Sequence, residues 1–437
     1  MSNTRVKNLI KYVIPTMLSS VSFFLFTIVD GIFIGHGVGT NGLGAINLVM
    51  PFVMIVNALF MLTTIGGVTI VAIRLGRSDT EGANQAFMHA VTMGLAIAVL
   101  LSAAGVFFHG PICTLLGASG TFLEMAAEYL FWYAVFIIPS GLSTFLQGFC
   151  RNDGSPLLVS IGGIVGTLGN IFGDWLLIFP IPWGLKGAAI ATGLSQTATL
   201  LIVLPHYLLK KGSLRLHCTR LQSSLVKKII LRGLPESISQ LATPVTTLCM
   251  NLVLVRHIGD IGVNAFSIIS YVASFSIAVF LGTGEGLQPL FGQSYGAKNG
   301  KNLKFYFHTG LLINFAGSAA INALLMCIGG SVCALFGADR ETLDFTVHTM
   351  SSYAWGFIVM SLNVMISAYL YSTKRSRQAI IINVLRSLVV NSALIFLLPA
   401  IFGSGIVWHT FGIYEAAVLV VAIALLKHSE RDGIIYE

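Results

Sequence analysis

The chain reads as an all-α integral membrane protein with twelve transmembrane helices in two parallel six-helix lobes related by pseudo-two-fold symmetry. Three observations predict this. Only 10% of the 437 residues are charged and 55% are hydrophobic, where an ordinary soluble domain carries about 25% charge. Twelve apolar runs are long enough to cross the membrane, which takes roughly 20 residues for about 30 Å of hydrocarbon. The second half of the chain also repeats the first at a constant offset of 220 positions.

The expected spans cover residues 9 to 35, 45 to 73, 85 to 108, 122 to 148, 157 to 180, 186 to 209, 229 to 256, 263 to 293, 305 to 328, 342 to 371, 378 to 402 and 405 to 426. The first is too long for a signal peptide and lacks its small-residue cleavage pattern, so it reads as a retained span. The six cysteines, Cys113, Cys150, Cys218, Cys249, Cys327 and Cys333, have no CxxC spacing and fall in or beside apolar runs. They read as packing residues, with neither a disulfide framework nor a zinc site expected.

Charge placement orients the spans. Of the 25 basic residues, 21 lie at the termini or in the connections on their side, Lys186, Arg256 and Arg340 lie on the other, and Arg386 is inside a span. By the positive-inside rule both termini are cytoplasmic. The net charge of +8 is therefore a topology signal, and nucleic acid is not an expected partner because the charges punctuate hydrophobic spans.

The repeat superposes Pro15 on Pro235, Ser19 on Ser239, Gly39 on Gly259, Gly66 on Gly286, Cys113 on Cys333, Gly117 and Ala118 on Gly337 and Ala338, and Tyr133 on Tyr353. This divides the chain into a first lobe (1–209), a basic linker (210–228) and a second lobe (229–437). Six spans per half is an even number, so both halves enter the membrane in one orientation. Two such lobes facing a shared cavity make a V-shaped alternating-access layout.

A charge near the bilayer centre costs at least about 2.5 to 3.5 kcal/mol, so each one needs a reason. Asp30 in span 1 and Asp174 in span 5 have no basic residue in the same bundle. Counting along each helix puts both, with Thr192, roughly 9 Å below the outer surface, and Asn170 lies one turn deeper on the face of Asp174. This set of oxygens suits Na⁺, or a proton shared between the carboxyl groups. The alternative is that Asp30 ends its helix beside Gly31 and Asp174 only hydrogen-bonds a neighbour. Gly162, Gly166, Gly169 and Gly173 are expected to let a second helix approach span 5 closely. In the second half the repeat partners of Asp30 and Asp174 are Met250 and Leu394, while Glu285, Arg386 and Glu415 are new. These three form either a structural ion pair or a substrate or second charge cluster. Glu236 reads as interfacial, as do most of the histidines, His36, His89, His109, His257, His308, His348 and His409.

Gly37, Gly39 and Gly42 satisfy GxGxxG but lie between two hydrophobic spans, not after a strand, which excludes a dinucleotide site. No GxxxxGK[ST], HExxH or GxSxG occurs, so neither an ATP motor nor the commonest hydrolases are indicated. Three stretches carry a resemblance: Val29 to Gly35 with Gly42 to Pro51; Arg151 to Pro156 followed by Asn170, Asp174 and Gly187 to Thr192; and Gln288-Pro289 with Tyr295 to Asn299. Over essentially its whole length the chain resembles the multidrug and toxic compound extrusion (MATE) transporters, in particular their bacterial branch of small-drug exporters. The resemblance implies residence in a bacterial cytoplasmic membrane and export of organic cations or other amphipathic compounds against inward Na⁺ or H⁺. In such transporters a first-lobe cation site uses positions matching Asp30, Asn170, Asp174 and Thr192. One branch also has acids in spans 7 and 10, and the middles of those spans here have none.

The expected function is a cation-coupled antiporter, a monomer whose partners are a small organic substrate and the lipid bilayer, with no cofactor besides the coupling ion. Two alternatives are an exporter of one specific metabolite and a lipid-linked oligosaccharide flippase, which needs a basic cavity for diphosphate. An enzyme would need a catalytic cluster at a membrane interface, and the sequence has none.

Overall fold

The computed structural model describes residues 2–217, 220, 222–240, 242–335 and 340–431. Cys218, Gly337 and Ala338 lie outside the described residues, as do linker residues 219 and 221, residues 432–437 and the side chain of Cys333. Among the described residues the chain is nearly all helical and contains no strand. Hydrocarbon offers no partner for backbone N–H and C=O groups, so a spanning segment bonds them internally as a helix.

In the first half the helices are α1 (Ser2–Gly37), α2 (Thr40–Gly76), α3 (Thr80–Leu115), α4 (Gly120–Val135), α5 (Ile137–Asn152), α6 (Pro156–Ile178) and α7 (Gly184–Leu208). Then come α8 (Ser223–Ser239), α9 (Ala242–His257), α10 (Asp260–Gly296), α11 (Gly300–Leu335), α12 (Arg340–Ser372), α13 (Ser376–Val384), α14 (Val390–Phe402) and α15 (Thr410–Arg431). Among the described residues ten stretches are long and apolar enough to cross a membrane, two of them joining helices (α8 with α9, α13 with α14), and eleven with the bent pair α4 and α5 as one span. The remaining expected run, 305 to 328, lies in α11.

Three expected spans are less regular than the sequence suggests. Span 4 bends by 49° at Phe136. Pro139 cannot donate to the carbonyl four residues back, and the Phe136 ring fills the space above Gly193, where a Cβ would lie 2.0 Å from the ring. Span 11 contains a π-helical turn, Leu385–Val389, between α13 and α14. Span 12 opens with a 3-10 turn, Ser404–His409, before α15.

The 220 offset is legible in the backbone. Helices α10 and α11 begin and end 220 residues after α2 and α3, and α12 covers the α4 and α5 range at the same offset. Gly39 and Gly259, both with φ of 89°, start matching helices in a conformation that only glycine adopts without strain. The π turn adds one residue, so beyond it the register becomes 221. Asn170 then pairs with Asn391, and the counterpart of Asp174 is Ile395, one position beyond the Leu394 that the ungapped repeat gives.

The chain divides into two compact units, Ile10–Gly233 and Leu234–Glu437, the latter including Met1–Leu9. In the unit Ile10–Gly233, one core packs Val49, Phe60, Leu130 and Phe145. A second, built on Phe87, Phe149, Val203 and Tyr207, has Phe87 stacked on Tyr207 at 5.3 Å and meeting Phe149 edge-on at 4.9 Å. In the other unit the core holds Met250, Phe280, Tyr353, Phe357 and Phe411, and Tyr353 stacks on Phe411 at 4.7 Å. Helix α12 runs through its middle, with 78% of its most apolar stretch buried. Cys113, Cys150 and Cys249 are buried and free, whereas Cys327 is exposed on α11.

Of the four glycines on α6, Gly166 and Gly173 face α7 closely, with Thr199 Oγ1 and Ala191 Cβ at 2.2 and 3.0 Å from where a Cβ would sit, and Gly162 is in ordinary contact distance of Thr199. Gly169 faces open space, so the packing stripe expected there has three members. The tightest crossing joins α2 to α8. A Cβ on Gly66 would lie 2.1 Å from the Ile229 carbonyl oxygen, and one on Gly233 would lie 1.8 Å from that of Leu62. Backbone cannot step aside as a side-chain tip can. Gly66→Ala is therefore expected to destabilise the chain by about 1 to 3 kcal/mol, seen as a lower melting temperature in detergent. Gly169→Ala, which meets nothing within 4 Å, should leave it unchanged.

Candidate functional site

In the unit Ile10–Gly233, α1, α6 and α7 bring together the four residues singled out from sequence. Helix α1 continues through Asp30 to Gly37, so Asp30 does not end a helix. Asp174 and Asn170 on α6 are 0% and 1% exposed. The Asn170 amide donates to Thr192 Oγ1 on α7 at 3.2 Å, and the carboxyl groups of Asp30 and Asp174 are close enough to share a proton.

Oxygens are left over. Asp30 Oδ1, Asn170 Oδ1 and both carboxylate oxygens of Asp174 are buried without a hydrogen-bond donor. Two carboxylates can only accept hydrogen bonds, and buried acceptors that go unpaired are costly. A group that supplies positive charge or a proton at this point satisfies all four, so the residues fit a bound Na⁺ or a shared proton. Among the described residues no cluster of three His, Cys, Asp or Glu side chains suits a transition metal.

Tyr129 on α4 lies within electrostatic reach of both carboxyl groups. Its ring stacks on Tyr133 at 6.3 Å, centroid to centroid. Sequence reading passed over Tyr129 because a lone tyrosine in an apolar run resembles packing. Its position four residues before Tyr133, a position the repeat marks, was the available signal.

The second charge cluster lies in the unit Leu234–Glu437. Arg386 Nε donates to Glu415 Oε1 at 2.9 Å, with side chains 5% and 1% exposed. Asn363 of α12 donates from Nδ2 to Glu415 Oε2 at 2.7 Å and to the Glu415 carbonyl at 2.9 Å. Arg386 stands on the π turn, the position where its repeat counterpart Gly166 packs against Thr199. Asn363 could not be found from sequence, since asparagine in a span carries no charge to mark it.

Glu285 of α10 is not part of that pair. With Glu236, Tyr371, Asn383 and Arg386 it lines a small cavity, large enough for a water molecule, that Leu281, Val364 and Ala368 also wall. Glu236, half-buried next to Pro235, lies in the same cavity as Glu285 and Arg386. His89 is also fully buried. Its Nε2 accepts the Gln222 N–H at 2.8 Å and its Nδ1 faces the Gln85 carbonyl at 2.7 Å, so it anchors the linker between the halves.

The MatE family profile matches residues 15–176 and 235–397. The second stretch is one residue longer, as the π turn requires. The multidrug export protein MepA of Staphylococcus saprophyticus is 24% identical over 98% of this chain and 94% of its own length. MepA of Staphylococcus aureus is 23% identical over the same shares. Among solved structures, the outward-facing conformation of a multidrug resistance MATE family transporter of the MOP superfamily superposes with a TM-score of 0.92 at 22% identity, over 98% of this chain and 96% of that one. A MOP superfamily transporter from Pyrococcus furiosus, described as having a binding pocket of reverse polarity that suggests a different function, gives 0.90 at 22% identity over the same shares.

Breaking a buried pair leaves an uncompensated charge, whereas replacing both partners often costs little. Arg386→Met alone is expected to destabilise the chain by about 3 to 5 kcal/mol, and Arg386→Met combined with Glu415→Leu to recover most of it. Melting curves of the purified single and double variants in detergent check this.

Proposed function

The chain belongs to the MatE family of membrane transporters, and from that premise we propose that it is a cation-coupled antiporter exporting small amphipathic or cationic organic compounds by alternating access. The observation that carries this reading is the pair Asp30 and Asp174, side by side with four buried oxygens lacking a donor. The MepA relatives, named as multidrug export proteins, support the substrate class.

In this reading Na⁺ or H⁺ enters at Asp30 and Asp174, with Asn170 and Thr192 completing the oxygen set and Tyr129 closing one side. Coupling requires that the cation bind the outward-open and inward-open states with different affinity. Bending α1, or sliding α6 past α7 along its glycines, changes the distance between the carboxyl groups and so supplies that difference. The basic residues put both termini in the cytoplasm, and the cation then enters from the outer side, where the count along each helix sets the site. The Arg386 pair is structural, held by Asn363 at the carboxylate oxygen that Arg386 leaves over. Glu285 and Glu236 line the water-sized cavity beside Arg386. A flippase reading finds no support in this cavity, where two glutamates stand beside an arginine already committed to Glu415.

The test is efflux of a fluorescent organic cation from proteoliposomes under an imposed Na⁺ gradient and, separately, an imposed pH gradient. Efflux should follow one of the two. Asp174→Asn should reduce it about 5- to 150-fold, the effect of roughly 1 to 3 kcal/mol of lost coupling. Full gradient-driven efflux in Asp174→Asn would remove the proposed site.

A further inference from the structure

The turns that precede α6 and α13 occupy matching positions, 152–155 and 372–375, and are finished with opposite chemistry. In the first, Asp153 is buried and fully engaged. Its Oδ1 accepts the Ser213 N–H at 2.8 Å, and its Oδ2 accepts the Leu214 N–H at 3.2 Å and lies 3.0 Å from His206 Nε2. A carboxylate thus collects the donors on that side of the unit.

In the second turn the matching residue is Thr373, whose hydroxyl turns back to the carbonyls of Tyr369 and Leu370 at 2.8 and 3.3 Å. Thr373 brings no carboxylate to the turn, and the stretch between Asp344 and Glu415 has no Asp or Glu. This turn has buried donors of its own. Arg375 is 8% exposed, and its Nη2 has no hydrogen-bond partner. The hydroxyls of Ser372 and Ser376, 0% and 8% exposed, have none either. Helix α13 begins at this turn with no side-chain cap and no acid in its first turn. Ser376 also restores an N–H where Pro156 removes one from α6. Arg377, exposed one residue on, adds positive charge.

A guanidinium, two hydroxyls and the free N–H groups of a helix start are all donors, and together they select an oxyanion. We infer that the turn between α12 and α13 binds a phosphate group, of an anionic phospholipid headgroup or of soluble phosphate, on Arg375, Ser372, Ser376 and the N-terminus of α13. The bound anion supplies the acceptor that Thr373, turned back to its own helix, does not. The site lies in the unit without the Asp30 and Asp174 pair, and its readout is independent of transport.

The experiment measures the melting temperature of the full chain in detergent with phosphatidylglycerol, phosphatidylcholine, or inorganic phosphate against chloride at equal ionic strength. Wild type should gain roughly 2 to 4 °C with the anionic ligand and nothing with phosphatidylcholine. A rise with phosphatidylglycerol alone assigns the site to lipid, and a rise with both assigns it to phosphate in general. Arg375→Gln should abolish the rise. Thr373→Asp, which restores the carboxylate of the first repeat, should also abolish it. No anion-dependent rise in wild type, or an equal rise in Arg375→Gln, overturns the inference. Should Arg375→Gln fail to fold, a rise of wild-type size in Thr373→Asp overturns it alone.

Discussion

In the layer these helices cross there is no water to complete an unfinished hydrogen bond, so every polar group finds its partner within the chain or stands out as an exception. That constraint makes the backbone helical. It also turns serines and threonines back onto the carbonyl one turn earlier, as Thr16, Thr64 and Thr283 do at 2.7 to 2.9 Å. Among the described residues with a buried polar atom that lacks a partner, two groups stand together. The oxygens of Asp30, Asn170 and Asp174 are left without donors, which is the need that the proposed coupling ion would meet. The donors of Arg375, Ser372 and Ser376 without acceptors mark the opposite need at the end of a helix.

The two halves share a backbone but not a chemistry. Matching helices begin and end at the same offset, and matching glycines start them. The polar residues diverge: Asp30 is Met250 in the second half, and Asp174 corresponds to a buried isoleucine, so the place of the first acidic pair is closed with apolar packing there. The second half instead inserts Arg386 on a π turn and neutralises it with Glu415. A π turn widens the helix by one residue and re-aims the side chains on it. Here it turns a glycine packing position into the seat of a buried guanidinium. Duplication thus supplied a scaffold, and substitution at a few buried positions gave the halves separate electrostatic tasks.

Close approach of backbones is the other theme. Gly66 and Gly233 let α2 and α8 cross with carbonyl oxygens where a methyl group would otherwise be, and Gly166 and Gly173 on α6 make room for the Thr199 and Ala191 side chains of α7. Without a hydrophobic force between helices in lipid, such contacts and buried polar bonds carry helix association. They also hold Asp174 and Asn170 in fixed register with Thr192, which a site built from three separate helices requires.

Composition, run length and the 220 offset by themselves determined a multi-span helical membrane protein built from a repeat, because hydrocarbon thickness sets the length of a run and duplication leaves its register in the residues. Counting along helices also brought Asp30, Asp174 and Thr192 to one depth, with Asn170 one turn deeper, since helical rise is constant. Only the tertiary structure decided which side chains meet across helices. It joined Asn363 to Glu415, set Tyr129 near the two aspartates, and set Glu236 beside Glu285. It also placed the π turn that shifts the counterpart of Asp174 to Ile395. Depth follows from one helix alone, whereas the rotation of each helix about its axis is set by the packing of its neighbours, and that packing decides which faces meet.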